Sequence, residues 1–399
     1  MLIKLKPQVI YCGGPGDIAG TMRSWISGKH DAKEVSDTYS GQFFDQIKAR
    51  GLSALVISTH ARKELLVEGL ITIEHRPNKA TGKTGLAYKL TYMSHWLGII
   101  GTILRFRPRV VLIADLEHWW LLAIPAIFGI KVITDLQCTF WPRGYRSNAL
   151  YERILQGLNG LFWRKIPVAT ICISPECERQ VREMSYGQVK GRLLQARSSY
   201  QRADFSEIIP QNWDADSFRL MFAGRVERNK GVFDLLDVMA SLLADNHRKV
   251  LLDICGGGTA LSEIKAEVDR RGLQSCINVL GQLNSSDMRA AYERCHVVVV
   301  PTTAYFPEGL NRVVVEGVLA GRPVVATTVC NAIDVFPRSV ITVNCGDQLA
   351  MVTAIKRLAS DNNYYESIRE SCAAEAEQFY DRKQSWGAAL GRALDLALK

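Results

Sequence analysis

The densest group of chemically useful side chains in this 399-residue sequence is Pro307-Glu308-Gly309-Leu310-Asn311-Arg312-Val313-Val314-Val315-Glu316-Gly317. It follows the apolar run Val297-Val298-Val299-Val300 and precedes the turn Ala320-Gly321-Arg322-Pro323. A strand that passes through a glycine-containing loop into a helix turns unsatisfied backbone N–H groups toward an anion. Glu308 would stand at the loop edge, aimed into a cleft. Glu316, deeper in the helix, has the acceptor capacity for two ribose hydroxyls. For an isolated pair of glutamates the plainer reading is a helix cap and a solvated carboxylate. The preceding strand, the Pro-Gly turn and the setting in an α/β half favour binding. A second group is Phe222-Ala223-Gly224-Arg225-Val226-Glu227-Arg228-Asn229-Lys230-Gly231. Gly224 permits a sharp turn after a strand, which sets Arg225 and Lys230 beside the next helix N-terminus. Two cations there can meet the charge of a departing diphosphate without a metal; the alternative is a solvated basic loop.

Together these segments resemble the family 4 glycosyltransferases, whose two-domain architecture is called GT-B. The resemblance extends over most of the chain and is densest from Leu220 to Ala326. The family pattern G-R-x-x-x-x-K-G stands here as Gly224-Arg225 through Lys230-Gly231, and its E-G-[aromatic or Leu]-x-x-x-x-x-E pattern as Glu308-Gly309-Leu310 through Glu316. The resemblance implies that Arg225 and Lys230 bind a diphosphate. It implies that Glu308 and the amides of Gly309, Leu310 and Asn311 hold sugar hydroxyls and phosphate, and that Glu316 holds the nucleotide ribose. In the N-terminal half, Gly13-Gly14-Pro15-Gly16 follows the first strand, as the family's glycine loop does. Gly14 and Gly16 would close over the phosphates from across the cleft; the alternative is an ordinary strand-to-helix turn. Ala114-Asp115-Leu116-Glu117-His118 follows the fourth strand, where similar enzymes carry a histidine facing the donor sugar. That role passes to His118, with Asp115 and Glu117 as the alternatives. Two segments depart from the family pattern. Thr328-Val329-Cys330-Asn331-Ala332-Ile333-Asp334 replaces the usual Gly-Gly pair before a Glu, so this loop near the nucleotide or sugar is expected to be shaped differently. Gln195-Ala196-Arg197-Ser198-Ser199-Tyr200 lacks the common Asn-Gly pair.

The elements that must position these residues are legible as alternating apolar runs. Val9–Cys12, Ala54–Ser58, Ile71–Glu74, Val110–Ala114, Lys131–Thr134 and Ala169–Ser174 read as strands in the first half. Leu220–Ala223, Val250–Ile254, Ile277–Leu280, Val297–Val300 and Val324–Ala326 continue the series, with a helix from Val232 to Leu243. Strand–helix alternation implies parallel sheets covered on both faces. The fold class is therefore α/β, with two Rossmann-like domains facing a central cleft. The expected division is an acceptor domain at 1–203, a nucleotide-sugar donor domain at 204–380 and a helix at 381–399 crossing back. In that last segment Trp386, Leu390, Leu394 and Leu398 recur every fourth residue, along one face. The seam is expected near Gln201 to Asp216, which contains Pro210.

Composition sets limits on class. With 47% hydrophobic and 22% charged residues the chain is globular, and its length suits two domains. None of the ten cysteines forms a C-x-x-C pair, which predicts buried reduced thiols and neither disulfides nor a zinc site. Met1-Leu2-Ile3-Lys4 opens no signal peptide, and Val110 to Thr134 is interrupted by Asp115, Glu117, His118 and Pro125. The expected location is cytoplasmic, with peripheral contact at the inner face of a membrane. The net charge of +9 is uneven: residues 1–200 carry +12 and the remainder −3. Arg105, Arg107 and Arg109 cluster, while Phe140-Trp141-Pro142-Arg143 and Phe162-Trp163-Arg164-Lys165 interleave rings with cations. These suit an anionic membrane surface; the alternative is core rings beneath a solvated charged face.

The expected activity is that of a retaining glycosyltransferase of hexosyltransferase type, in bacterial polysaccharide or glycolipid synthesis. Its partners would be a nucleotide-sugar donor and a glycan or lipid-linked acceptor, with no cofactor and no metal. The catalytic set would be His118, Arg225, Lys230 and Glu308, acting largely by electrostatics, with Glu308 a binding residue more than a nucleophile. A sugar-nucleotide epimerase of the same fold and a non-catalytic homologue are the rivals. Arg225, Lys230, Glu308 and Glu316, all present, speak against the latter. Nucleic acid is suggested only by charge and by no recognition motif.

Overall fold

The computed structural model describes residues 6–28, 35–80, 82–114, 116–209, 211–213, 216–244 and 249–399. Asp115 and Pro210, both singled out above, lie outside the described residues.

The first sheet contains β1 (Val9–Cys12), β2 (Ala54–Ser58), β3 (Glu64–Glu68), β4 (Ile71–His75), β5 (Val110–Ala114), β6 (Lys131–Leu136), β7 (Ala169–Cys172) and β8 (Arg192–Gln195). Their spatial order is β3-β4-β2-β1-β5-β6-β7-β8. All neighbours are parallel except the β3–β4 hairpin. The second sheet contains β9 (Phe218–Ala223), β10 (Val250–Cys255), β11 (Ile277–Gly281), β12 (Val297–Val300), β13 (Val324–Thr327) and β14 (Val340–Val343), in the order β11-β10-β9-β12-β13-β14 and parallel throughout. In both sheets the connections reverse direction beside the first strand. Val9 pairs with Ala54 on one side and with Val110 on the other; Leu220 pairs with Leu252 and with Val297. Ligand crevices in open α/β sheets lie outside the carboxyl ends of the strands at such switch points. The sequence-predicted strands are all present; β3, β8 and β14 are additional.

Strands β1, β2, β5, β7, β12 and β13 are buried along their whole length, because helices cover both faces. On one face of the first sheet the helices Ile18–Ile26 and Tyr39–Ala49 enclose Met22, Phe43, Phe44 and Ile47. The C-terminal helix Trp386–Leu398 completes that core, with Trp386, Leu390 and Leu394 fully buried. Each such side chain contributes about 1.5–3 kcal/mol relative to exposure. The Trp386 indole N–H also donates to Asp135 Oδ1 at 3.0 Å. The final helix thus crosses back onto the first domain as expected. On the opposite face the helices Gly85–Phe106, Leu150–Lys165 and Pro175–Met184 bury Trp96, Ile103, Phe162, Trp163 and Val181. Trp141 is buried in the same core. The rings expected to interleave with cations at a lipid boundary, Trp141, Phe162 and Trp163, are therefore core residues. Their indole and phenyl area is spent inside the domain.

Two segments pass between the sheets, and they are hydrogen-bonded to each other. Arg197 N donates to Gln384 O at 2.9 Å, Trp386 N to Arg197 O at 3.0 Å and Tyr200 N to Phe379 O at 3.1 Å.

Candidate active site

The chain leaves β9 through Gly224-Arg225-Val226-Glu227, makes a tight turn over Arg228–Lys230 and enters the helix Asp234–Ala244. Gly231 closes the turn at φ 72°. A Cβ there would lie 1.9 Å from Pro301 O, so only glycine lets this turn press against the loop after β12. Thr303 fastens the two together, donating its N–H (3.1 Å) and its hydroxyl (2.9 Å) to Asn229 O.

The loop from Pro301 to Asn311 then leads into the helix Arg312–Leu319. Asn311 stands at the N-cap but makes no side-chain cap bond. Its Oδ1 instead accepts from Cys330 Sγ at 2.8 Å. The first turn of this helix therefore keeps its positive end and its unused amides for another acceptor. Burial and the Glu308 charge hold the Cys330 thiol far above its usual range, so it stays a neutral donor.

Arg225, Lys230 and the segment from Phe306 to Val313 line one cavity of about 340 Å³. Phe306 organises the cations: Lys230 Nζ lies 3.7 Å from its ring centroid and the Arg225 guanidinium 5.4 Å. Such contacts are worth about 0.5–1 kcal/mol at exposed sites, so they orient the side chains without trapping them. Arg225 also reaches Glu227 Oε1 at 3.3 Å and remains exposed. Lys230 is mostly buried and forms an ion pair with Glu308 Oε1. The two residues assigned separately to diphosphate and to sugar hydroxyls are thus partners of each other. Glu308 Oε2 is buried and has no hydrogen-bond partner among the described residues, so one carboxylate oxygen remains available inside the cavity.

The Glu308 backbone is held from both halves of the chain. Its carbonyl accepts from Thr139 Oγ1 at 2.9 Å and from Asn331 Nδ2. Thr139 belongs to the first domain; Asn331 belongs to the unusual segment after β13. That segment also supplies Asp334, whose Oδ2 accepts from Arg143 of the first domain at 2.7 Å. The departure from the family pattern therefore builds a bridge between the halves. Gly309 sits at the closest approach, where a Cβ would lie 1.8 Å from Gln137 O.

Glu316 does not line the cavity but lies one helical turn beyond Arg312, which does. Its Oε1 is 3.8 Å from the Arg312 guanidinium and its Oε2 accepts from Tyr292 OH at 3.3 Å. Leu310 lines the cavity and packs against cores of both domains.

The N-terminal candidates are less well gathered. Gly14 and Gly16 are exposed at the end of β1, and their carbonyls accept from Ser58 Oγ at 3.1 and 2.7 Å. Neither lines the 340 Å³ cavity. His118 packs among Tyr92 and Trp120, and its Nε2 lies 3.3 Å from Tyr151 OH. It is also absent from that cavity wall. Of the alternatives, Glu117 lines a second cavity of about 330 Å³, with Glu152, Gln156, Asn159, Trp119 and Phe140 around it. Cys138 borders both cavities. Sequence reasoning missed Phe306, Thr139, Gln137 and Asn331. The one available signal was position: Gln137 and Thr139 follow directly on the carboxyl end of β6, where such ligand sites form.

Residues 205–376 match the family model described as glycosyl transferases group 1. The capsular polysaccharide biosynthesis glycosyltransferase CapM of Staphylococcus aureus is 27% identical over 173 residues, 43% of this chain and 44% of that protein. The aligned part is less than half the length of each curated relative it matches. Over the whole chain the fold resembles that of sucrose-phosphate synthase from Thermosynechococcus elongatus, with TM-score 0.66, 15% identity and coverage of 98% and 97%. It also resembles HepE of Anabaena in complex with UDP, with TM-score 0.63, 16% identity and coverage of 98% and 99%. Residues 205–376 are thus similar to the glycosyl transferases group 1 family, and the two Rossmann-like sheets give the whole chain the GT-B fold.

Proposed function

We propose that the chain transfers a hexose from a nucleotide diphosphate sugar, held in the 340 Å³ cavity, to a hydroxyl of a glycan or lipid-linked acceptor seated in the adjoining one. The observation that carries this reading is the convergence on one cavity of Arg225, Lys230, Glu308 and the open N-terminus of the helix Arg312–Leu319. A diphosphate entering between Lys230 and Glu308 takes the ammonium for itself and frees Glu308 to accept from sugar hydroxyls. Arg225 and the helix N-terminus meet the remaining charge. Glu316, one helical turn beyond Arg312, would receive the ribose at the margin of that cavity. The complex of HepE with UDP, a protein of the same fold, supports a nucleotide ligand. The name of the Staphylococcus aureus relative supports a role in polysaccharide synthesis.

In the reaction the bond between the anomeric carbon and the terminal phosphate oxygen breaks, and its electron pair stays on that oxygen. The acceptor oxygen bonds to the same face of the sugar, giving retention, and its proton passes to the departing phosphate. Arg225, Lys230 and the helix dipole stabilise the charge as it develops. Because these fixed groups supply the positive charge, the reading requires neither a metal nor a cofactor.

A panel of nucleotide sugars, read by release of nucleotide diphosphate and by the anomeric configuration of the product, tests the proposal. A donor-specific release with a retained anomer, unchanged by a chelator, is expected. Release of an epimerised sugar, or no turnover of any donor despite nucleotide binding, would overturn it.

A further inference from the structure

The helices Gly85–Phe106, Ala123–Ile127 and Leu150–Lys165 form one layer over the first sheet, with their inner faces in its core. A helix on a solvent-facing layer normally turns polar residues outward. This layer does not. Leu86 and Leu90 are 72% and 63% exposed on the first helix. Ile154, Leu158 and Leu161 share the outer face of the third, at spacings of four and three residues, and are 41–56% exposed. Ile127 and Phe128, at the end of the short helix, are 80% and 56% exposed. Lys89 ties the two long helices together, its ammonium 4.1 Å from the Tyr151 ring centroid. Large apolar side chains exposed on three helices of one layer mark an interaction surface.

The charge around it identifies the partner. Residues 76–114 contain seven Lys and Arg and no Asp or Glu. Lys89, Arg105 and Arg107 are exposed there, and the Arg107 guanidinium lies 5.7 Å from the Phe128 ring centroid. Arg153 and Lys165 are exposed on the third helix, whose one carboxylate, Glu152, lines the second cavity instead. A second copy of the chain would set these cations against their own kind. Anionic headgroups would neutralise them while the Leu, Ile and Phe tips enter the acyl boundary.

We infer that this outer face docks on an anionic lipid bilayer. The contact is peripheral, since among the described residues no helix is long and apolar enough to cross a membrane. It also narrows the acceptor, a step that rests on the function proposed above. Leu155, Gln156 and Asn159 line the second cavity from the same helix that presents Ile154 and Leu158 outward. A bilayer against the outer face brings headgroups to that helix, which suits a lipid-linked acceptor.

Flotation of the full chain with phosphatidylglycerol–phosphatidylcholine vesicles, and with phosphatidylcholine alone, tests the surface. Binding to the anionic vesicles only, lost at high salt, is expected. The double substitution Leu90→Asp/Ile154→Asp should abolish it. Arg153→Gln/Lys165→Gln should weaken partitioning by about 25-fold, roughly fivefold for each cation removed. These positions are exposed, and an unchanged thermal transition confirms that the variants fold. Absence of wild-type flotation, or flotation of both double variants equal to that of the wild type, overturns the inference. So does a dimer, seen by light scattering, that Leu90→Asp/Ile154→Asp dissociates while no vesicle binds. Nucleotide diphosphate release in vesicle-free buffer reports separately on sugar transfer: donor turnover without flotation sinks only the surface, and flotation without turnover sinks only the transferase.

Discussion

Gly309→Ala isolates the contact that joins the two halves at the candidate active site. The Gly309 backbone is not left-handed, so alanine meets no conformational penalty there. The obstacle is across the cleft: the added Cβ would sit 1.8 Å from Gln137 O, 2.5 Å from Gln137 C and 2.9 Å from Ile173 Cγ2. Two of these atoms are backbone at the end of β6 and cannot rotate away. Restoring ordinary contact requires the loop and the first domain to separate by about 1.6 Å. A displacement of ~1 Å in a reacting geometry costs on the order of 100-fold in rate, equivalent to about 2.7 kcal/mol of transition-state stabilisation. Turnover, measured as nucleotide diphosphate release, should fall by at least that factor. Tm should change by no more than a few degrees, because none of the four hydrophobic clusters contains Gly309. Wild-type turnover in the alanine variant would refute the claim that the apposed arrangement is the working one. A large fall in Tm alongside the rate would reassign Gly309 to stability.

Lys230→Ala removes the mostly buried partner of Glu308 and the main cation of the cavity; turnover should drop at least ~10-fold, or ~1.4 kcal/mol, and wild-type activity would remove Lys230 from the site. Glu316→Ala should likewise cost at least ~10-fold in kcat/KM for the donor, since of the two groups it leaves behind Arg312 has no acceptor and the Tyr292 hydroxyl is a single neutral one. Cys138 is exposed, while burial pushes the thiols of Cys12 and Cys295 up to about 12. A maleimide at neutral pH should therefore label Cys138 first, as mapped by peptide mass, and a bound nucleotide sugar should slow that labelling, because Cys138 lines the donor cavity.

What the sequence disclosed followed the range of each interaction. Strands such as β1, β5 and β12 announce themselves as unbroken apolar runs because both of their faces are covered. Strand β3 begins and ends with glutamate and is mostly exposed at a sheet edge, and β8 opens with Arg192 at the other edge; edge strands need no such run. The same rule governs the site. Arg225, Lys230, Glu308 and Gly309 lie in two short segments whose geometry is local, so their spacing sufficed. Thr139 and Gln137 reach Glu308 or Gly309 only through the packing of one domain on the other, and Asn331 reaches Glu308 from a separate segment of the second domain. Helix Leu150–Lys165 shows the limit most clearly. It buries Phe162 and Trp163 and exposes Ile154 and Leu158, and a helix apolar on both sides gives no phase from which to choose the inner one.

The cross-domain bonds also constrain how the donor cavity opens. Thr139 to Glu308, Arg143 to Asp334 and the Gln137–Gly309 contact all fasten the loop after β12 to the first domain. Any parting of the two halves would therefore have to release this loop. The covalent path between them has two strands, near Arg197–Tyr200 and Phe379–Trp386, and three backbone hydrogen bonds hold those strands together. A paired linker of this kind resists twisting and sliding but permits rotation about its own line, which is hinge motion. The C-terminal helix, anchored by Trp386 in the first core, moves with the first domain although its sequence follows the second. A rotation of this kind would break the bonds to Glu308 and Asp334 together. The Glu308 carbonyl, on the residue whose carboxylate pairs with Lys230, thus takes one hydrogen bond from each half, from Thr139 and from Asn331.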